Sequence, residues 1–331
     1  MASPEDAANA IDSLYGKTLL SVPECIEAFK NNEVLQKDDI SSSTSSRVVF
    51  IDSTWWHKGK EVDAGRKEYE RGPRIKGSLH IDMDDICSDS DLPYMLPTKD
   101  FFEKAMNYYG ISNNDHIIIT ARDESVYFTP RTWFLFKTFG HDAKKLHLMQ
   151  GSLQQWIDLG GEVDDSPAVI PLFQELFGNN EIQDSTTVKE GYCAKPSTNV
   201  VDKDHMIKTI NANKEGKKDG ALILDSRGSS FATKGHMPGA IHLPYADWVQ
   251  TANAQVWKTT DEIEKIFEAA GVDPLSKQNI ICSCGTGVSV CHTLLALNLC
   301  GRDLDDEEFT TVMYDGSWAE YGKDPNTEKV F

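Results

Sequence analysis

Asn279-Ile280-Ile281-Cys282-Ser283-Cys284-Gly285-Thr286-Gly287-Val288-Ser289-Val290-Cys291-His292-Thr293-Leu294-Leu295-Ala296-Leu297 is the stretch that decides the fold. Asn279 to Cys282 reads as a buried strand, and Val290 to Leu297 as an apolar helix. Between them Cys284 opens a short glycine-rich turn. Glycines let the backbone fold tightly and turn successive N–H groups inward, which makes an anion-binding nest. The helix start adds its partial positive charge. Both features favour a thiolate, so Cys284 is expected to be a nucleophile, with Gly285, Gly287 and Val288 shaping the nest. Thr286 and Ser289 supply hydroxyl groups beside it. A purely structural cysteine beside a turn would need neither the two glycines nor the two hydroxyls. Strand, cysteine loop and helix together point to sulfur or phosphate chemistry.

Outward from this stretch, the chain repeats itself at roughly 160–175 residues, a distance that marks a domain duplication rather than a solenoid. Val48-Val49-Phe50-Ile51-Asp52-Ser53 answers Ala221-Leu222-Ile223-Leu224-Asp225-Ser226, and Ile75 to Ile81 answers Met237 to Leu243. His116-Ile117-Ile118-Ile119 answers Asn279 to Cys282. Arg131 to Gly140 answers the helix that ends at Gly301, and Gly151 to Trp156 answers Gly316 to Tyr321. Short β-branched runs alternate with amphipathic patterns in both copies. An α/β fold follows, with two tandem domains, each a small, mostly parallel sheet with helices on both faces. The expected boundaries are 1–170 and 197–331, joined by a linker over 171–196. Ser41 to Ser46 and Asn211 to Gly220 read as surface loops. In the first copy the cysteine loop is answered by Thr120-Ala121-Arg122-Asp123-Glu124, which has no cysteine. One copy is expected to be silent and to wall the cleft that the other serves.

The composition excludes several classes. The 331 residues carry a net charge of −19, which speaks against a broad nucleic-acid-binding face. No apolar run approaches the ~20 residues of a membrane span, and Met1 to Asp6 has neither the basic nor the apolar character of a targeting peptide. Seven irregularly spaced cysteines suit a reducing compartment better than a disulfide framework. The grouping of Cys282, Cys284, Cys291 and His292 fits tetrahedral zinc poorly, so no metal and no cofactor are expected. Cys282 and Cys291 read as core, and His236 as a turn-holding residue.

At these residues the chain resembles the tandem-domain rhodanese-like sulfurtransferases, nearest to their 3-mercaptopyruvate branch. The marks are Cys284-Gly285-Thr286-Gly287-Val288-Ser289 with Cys291-His292, Gly235-His236-Met237-Pro238-Gly239-Ala240 and Tyr314-Asp315-Gly316-Ser317-Trp318. Met95-Leu96-Pro97, Pro130-Arg131-Thr132-Trp133 and Phe139-Gly140-His141 join them. The resemblance implies ping-pong transfer of a sulfane sulfur through a Cys284 persulfide. The implied donor is a small molecule, 3-mercaptopyruvate, and the implied acceptor a thiol such as thioredoxin, a sulfur-carrier protein, or cyanide. The expected compartment is the cytoplasm, with the mitochondrion as a second. Arg227 matches the family arginine that grips the substrate anion; alternatively it ties down the turn after Asp225.

The loop and its surroundings also depart from the family. Thiosulfate-preferring members resemble Cys-Arg-Lys-Gly, with two cations after the cysteine, whereas here Gly285 and Thr286 follow. Arg74 stands where relatives carry a relay histidine, which makes Asp63 either a relay acid or a solvated carboxylate and Arg74 a candidate substrate clamp. Thiosulfate:cyanide transfer and a non-catalytic binding module stay open as alternatives. A cysteine phosphatase is disfavoured, because its C-x5-R loop would need arginine at Val290.

Overall fold

The computed structural model describes residues 3–37, 47–56, 63–123, 128–177, 191–217, 220–250 and 253–331. The Ser41–Ser46 loop lies outside the described residues. Two compact units emerge. The first is Met1–Ile86 with Pro97–Pro196, and the second is Cys87–Leu96 with Ser197–Phe331.

In the first unit the order is α1 (Pro4–Asp12), β1 (Leu19–Ser21), α2 (Val22–Lys37), β2 (Val48–Asp52), α3 (Ala64–Arg71), β3 (Arg74–Ile75), β4 (Leu79–His80), α4 (Lys99–Tyr108), β5 (His116–Thr120), α5 (Thr129–Thr138), β6 (Leu146–Gln150), α6 (Leu153–Asp158), β7 (Val163–Asp164) and α7 (Phe173–Phe177). Five strands form one parallel sheet in the order β1-β6-β5-β2-β4, while β3 and β7 make a separate antiparallel pair. The central strands are buried along their whole length, as a parallel sheet covered on both faces requires. On one face Phe29 of α2, Phe50 of β2 and Trp156 of α6 meet edge to face, with ring centroids 5.5–6.0 Å apart. Such pairs add about 0.5–1.5 kcal/mol each beyond their burial. α5, buried at every residue, packs against β5 and β6.

In the second unit the order is β8 (Val200–Val201), α8 (Lys203–Lys214), β9 (Ala221–Asp225), α9 (Ser230–Thr233), β10 (Ala240–His242), β11 (Val249–Gln250), β12 (Asn253–Trp257), α10 (Thr260–Ala269), β13 (Asn279–Ser283), α11 (Val290–Leu299), β14 (Thr311–Tyr314) and α12 (Ser317–Tyr321). Its parallel sheet runs β10-β9-β13-β14-β8, the first unit's order read from the other edge. The registers agree too: Asp52 lies opposite Thr120, and Asp225 opposite Ser283. The duplication read in the sequence is therefore a duplication of topology. Asp202 and Thr259 cap α8 and α10 through side-chain oxygens, each such cap contributing about 1 kcal/mol.

Two expectations need correcting. Asn211 to Lys214 is not loop but the last turn of α8, with the Asn213 amide donating to Ala221 O at 2.9 Å. The expected linker is bound to the first unit at both of its described parts. Asp85 accepts from the N–H groups of Phe173 and Gln174 at 2.6 and 2.9 Å. Asn107 Oδ1 accepts from Gly191 and Tyr192, Asn113 from Cys193 and Glu103 from Ala194. The segment Cys87–Leu96 belongs to the second unit, where Leu96 N–H donates to Asp315 at 2.8 Å.

The first unit also buries a histidine chain. His147 Nδ1 donates to Lys17 O at 2.5 Å, so its Nε2 accepts from His116 Nδ1 at 2.9 Å. His141 Nε2 donates to Asp115 O at 2.9 Å. Burial, with the neighbouring histidine charge, pushes His116 down to about 3; burial pushes His141 and His147 down to about 4. Unfolded, these rings take a proton near pH 6.5, so below that pH the unfolded state binds more protons and stability is lost. It is fully present above about 6.5 and declines as pH falls toward 4. The urea midpoint of the first unit should fall between about pH 7.5 and pH 5, and His141→Gln should flatten that slope; an equally steep slope in the variant would contradict the assignment.

Candidate active site

β9 and β13 end side by side, and the chain beyond each end builds the site. In open parallel sheets such C-terminal strand ends are where ligands bind. Ser226 N–H donates to Ser283 O at 2.9 Å, so Ser226 and Arg227 leave β9 next to the point where Cys284 leaves β13. The register puts Ala121 of the first unit at the place of Cys284, which makes that copy the silent one.

Cys284 is buried, while Gly285, Thr286 and Ser289 are half-buried. Its backbone is fixed from α12. Ser317 Oγ accepts the Cys284 N–H at 3.2 Å and donates to Tyr314 O at 2.8 Å. Trp318 N–H donates to Cys284 O and Ala319 N–H to Gly285 O, at 3.0 and 2.8 Å. Ser317 reaches this position only by taking a left-handed backbone, φ 51°. That conformation is uncommon outside glycine and asparagine and marks a constrained site. In the silent copy Ser152, at the same place in the motif, keeps φ −100° and simply caps α6.

With both carbonyls tied back, the N–H groups of Gly285, Thr286 and Val288 donate to no described group. Gly287 makes the turn at φ 79°. The loop thus has a glycine turn and three N–H groups without a described acceptor, while the N–H of Cys284 itself is occupied by Ser317. The Thr286 hydroxyl makes no hydrogen bond to a described residue. A Cβ built on Gly285 would meet nothing within 4 Å.

Arg227 follows Ser226 beyond the end of β9, and its guanidinium is almost wholly committed. Its Nε lies 3.0 Å from both Asp225 carboxylate oxygens, and its Nη2 donates to Asp225 Oδ2 at 2.8 Å and to Gly235 O at 3.0 Å. The guanidinium lies 4.3 Å from the Trp318 ring centroid. Both charged residues are buried, and only Nη1 has no described partner. The turn-tying role is thus built, with one donor left over. Cys282 is buried within β13, where desolvation pushes its thiol well up. Cys291 directs its Sγ at Gly287 O, 3.6 Å away. His236 stacks on Phe231 at 4.0 Å and pairs with Val330.

Asp63 and Arg74 belong to the first unit, and each has partners there. Asp63 meets Lys67 at 2.9 Å and Arg66 at 2.7 Å, and these cations hold its carboxyl below the usual range. Arg74 is buried, donates to Asp164 at 2.6 Å and to Tyr69 O at 3.3 Å, and lies over the Tyr69 ring. Its guanidinium fastens the β3–β7 pair, which is a fold-holding rather than a substrate-facing arrangement. In the sequence Ser317 and Trp318 stood only as part of a motif, and Asp225 only as the turn that Arg227 could tie down. The signal was the Gly-Ser pair repeated in both copies.

Fold and loop together define a tandem-domain α/β protein with one cysteine nest and one silent counterpart. Residues 209–324 match the Rhodanese-like domain model. The chain is 26% identical to 3-mercaptopyruvate sulfurtransferase from Rattus norvegicus, over 91% of its own length and 94% of the relative's. It is 28% identical to thiosulfate sulfurtransferase from Gallus gallus, over 80% and 83% of the two chains. The fold is shared with SseA from Escherichia coli, a 3-mercaptopyruvate sulfotransferase, at a TM-score of 0.66 and 24% identity over 91% of this chain and 99% of that one. Residues 209–324 thus form a rhodanese-like domain, and the chain as a whole is similar to the mercaptopyruvate and thiosulfate sulfurtransferases.

Removing the Arg227 guanidinium leaves Asp225 charged, buried and uncompensated. Arg227→Ala should therefore destabilise the second unit by about 3–5 kcal/mol in urea unfolding, and adding Asp225→Asn should recover part of the loss. A loss under about 1 kcal/mol would mean that the pair does not hold the turn.

Proposed function

We propose that this sulfurtransferase takes its sulfur from 3-mercaptopyruvate, carries it as a persulfide on Cys284 and delivers it to a thiol. The observation that supports this donor is the uncharged loop. Thiosulfate is a dianion and is served by cations next to the nucleophile, whereas Gly285 and Thr286 offer only N–H groups and a hydroxyl. A monoanionic 2-oxo acid needs one cationic contact for its carboxylate, and the unused Nη1 of Arg227 can donate one.

In the first half-reaction the Cys284 sulfur attacks the donor's sulfur. An S–S bond forms, the donor's C–S bond breaks, and the electron pair leaves on carbon as the enolate of pyruvate. The thiol proton of the donor, passed through water, Thr286 or Ser289, completes pyruvate. The nest N–H groups of Gly285, Thr286 and Val288 stabilise the sulfur anion before and after transfer. In the second half-reaction an acceptor thiolate, such as that of thioredoxin or a sulfur-carrier protein, attacks the outer sulfur and restores Cys284.

Cys284→Ser should abolish turnover while preserving the melting curve, because a serine hydroxyl is nearly isosteric but a far weaker nucleophile. Mass spectrometry of the parent after donor treatment should find one extra sulfur on Cys284; persulfide on another cysteine, or more than a few per cent activity in the serine variant, would refute the assignment. The parent should show a higher kcat/KM with 3-mercaptopyruvate than with thiosulfate. Gly285→Arg with Thr286→Lys should move that ratio toward thiosulfate, since the open space at Gly285 accepts a side chain without strain. Equal or better use of thiosulfate by the parent would overturn the donor assignment.

A further inference from the structure

Beneath the nucleophile loop lies a short chain of buried polar groups. Trp248 Nε1 donates to Thr293 Oγ1 at 3.2 Å, and Thr293 Oγ1 lies 2.7 Å from Ser226 Oγ. All three residues are fully buried. They come from three places: the turn Tyr245–Trp248, the first turn of α11 and the end of β9. An indole N–H can only donate, so Thr293 must accept from Trp248. The two hydroxyls then share one hydrogen bond and have two hydrogens between them, and no other described group accepts either. One hydrogen is left over. On either residue it is shut off from water, where an unsatisfied donor is unfavourable, so what separates the two is what lies next to them. On Ser226 it sits at the strand end beside Ser283 and Cys284, where a sulfur anion forms.

The silent copy lacks this arrangement. Ser53 answers Ser226, and its hydroxyl donates to Thr120 O at 3.3 Å, so its hydrogen is consumed by the backbone. The uncommitted hydroxyl is thus confined to the copy that carries the cysteine.

We propose that Thr293 is a positioning residue for sulfur transfer: held as an acceptor by Trp248, it gives its own hydrogen to Ser226 and so turns the Ser226 hydroxyl into a donor facing the nucleophile loop. The adjacent Arg227 Nη1 is a further buried donor without a described partner, so the turn presents two donors in succession. This inference rests on the reading of Cys284 as the sulfur carrier.

The test is steady-state turnover of 3-mercaptopyruvate with dithiothreitol as acceptor, alongside urea unfolding. Thr293→Val keeps the side-chain shape and removes the hydroxyl. It should lower kcat roughly 10- to 100-fold with donor KM changed less than about threefold, because the lost interaction develops with the charge. Thr293→Ser should return kcat to within about threefold of the parent. In a double-mutant cycle, Thr293→Val added to Ser226→Ala should lower kcat no further, since both act through the same hydrogen. Additive losses, a serine variant as impaired as the valine one, or a KM rise without a kcat fall would overturn the proposal. If Thr293→Val does not fold, Trp248→Phe, which removes the donor that sets the direction, must lower kcat in the same pattern; an unchanged kcat overturns it. Full activity in Thr293→Val with a dead Cys284→Ser would refute only this inference, whereas an active Cys284→Ser would refute the reading beneath it.

Discussion

Asp225 is a carboxylate with no exposure to water at the end of a central strand. Isolated there it would be prohibitively unstable, so the chain around it is arranged to neutralise it in place. Arg227 folds back two residues to do so. Its remaining valences then organise the neighbourhood: Nη2 collects Gly235 O, the planar face takes Trp318, and its own carbonyl accepts from His242 at 2.6 Å. Gly235 has φ 79°, and a side chain there would collide with Val330 O at 2.9 Å, so the residue must be glycine for Val330 to pair with His236. Trp318, stacked on that guanidinium, lends its N–H to Cys284 O. One neutralised charge thereby connects the strand end, the loop after α9, the chain near Val330 and the nucleophile's backbone.

The first unit faces the same problem at Asp52 and solves it differently. Its carboxylate lies 3.6 Å from His80 Nδ1 and 3.9 Å from Arg122 Nε, and Thr54 N–H donates to it at 2.9 Å. The compensating arginine therefore comes from the position of Gly285, out of the loop itself, while the position of Arg227 holds Thr54. The silent copy thus differs by more than its missing cysteine: part of the charge balance of its strand end is supplied from the position that follows the cysteine in the other copy.

Much of this was legible in the sequence because it is local. Val48–Ser53 and Ala221–Ser226 share length and pattern, and Cys284 to Leu297 spells strand end, turn and helix in consecutive residues. The duplication fixed which strands correspond. What was not legible depends on groups far apart in the chain or on conformations with no compositional mark. Trp248, Thr293 and Ser226 form one chain of hydroxyls and indole across two loops and a helix. Ser317 looks like any helix cap until its left-handed backbone is seen, and Ser152 shows that the same dipeptide can fold either way. Arg227 had two readings, and no sequence pattern reveals that its guanidinium spends four hydrogen bonds on Asp225 and Gly235. Asn211 to Lys214 is polar enough to imitate a loop, yet it continues the helix of α8, with the amide of Asn213 tied to Ala221.

The second unit is not one continuous stretch of chain. It includes Cys87–Leu96, a ten-residue piece encoded well before Ser197, and that piece hydrogen-bonds Asp315, two residues from Ser317. A gene fragment beginning at Ser197 would carry every residue of the nucleophile loop and still omit part of what surrounds its support. Recombination at the apparent boundary between the copies would do the same. Part of the second unit is thus encoded inside the span of chain that forms the first.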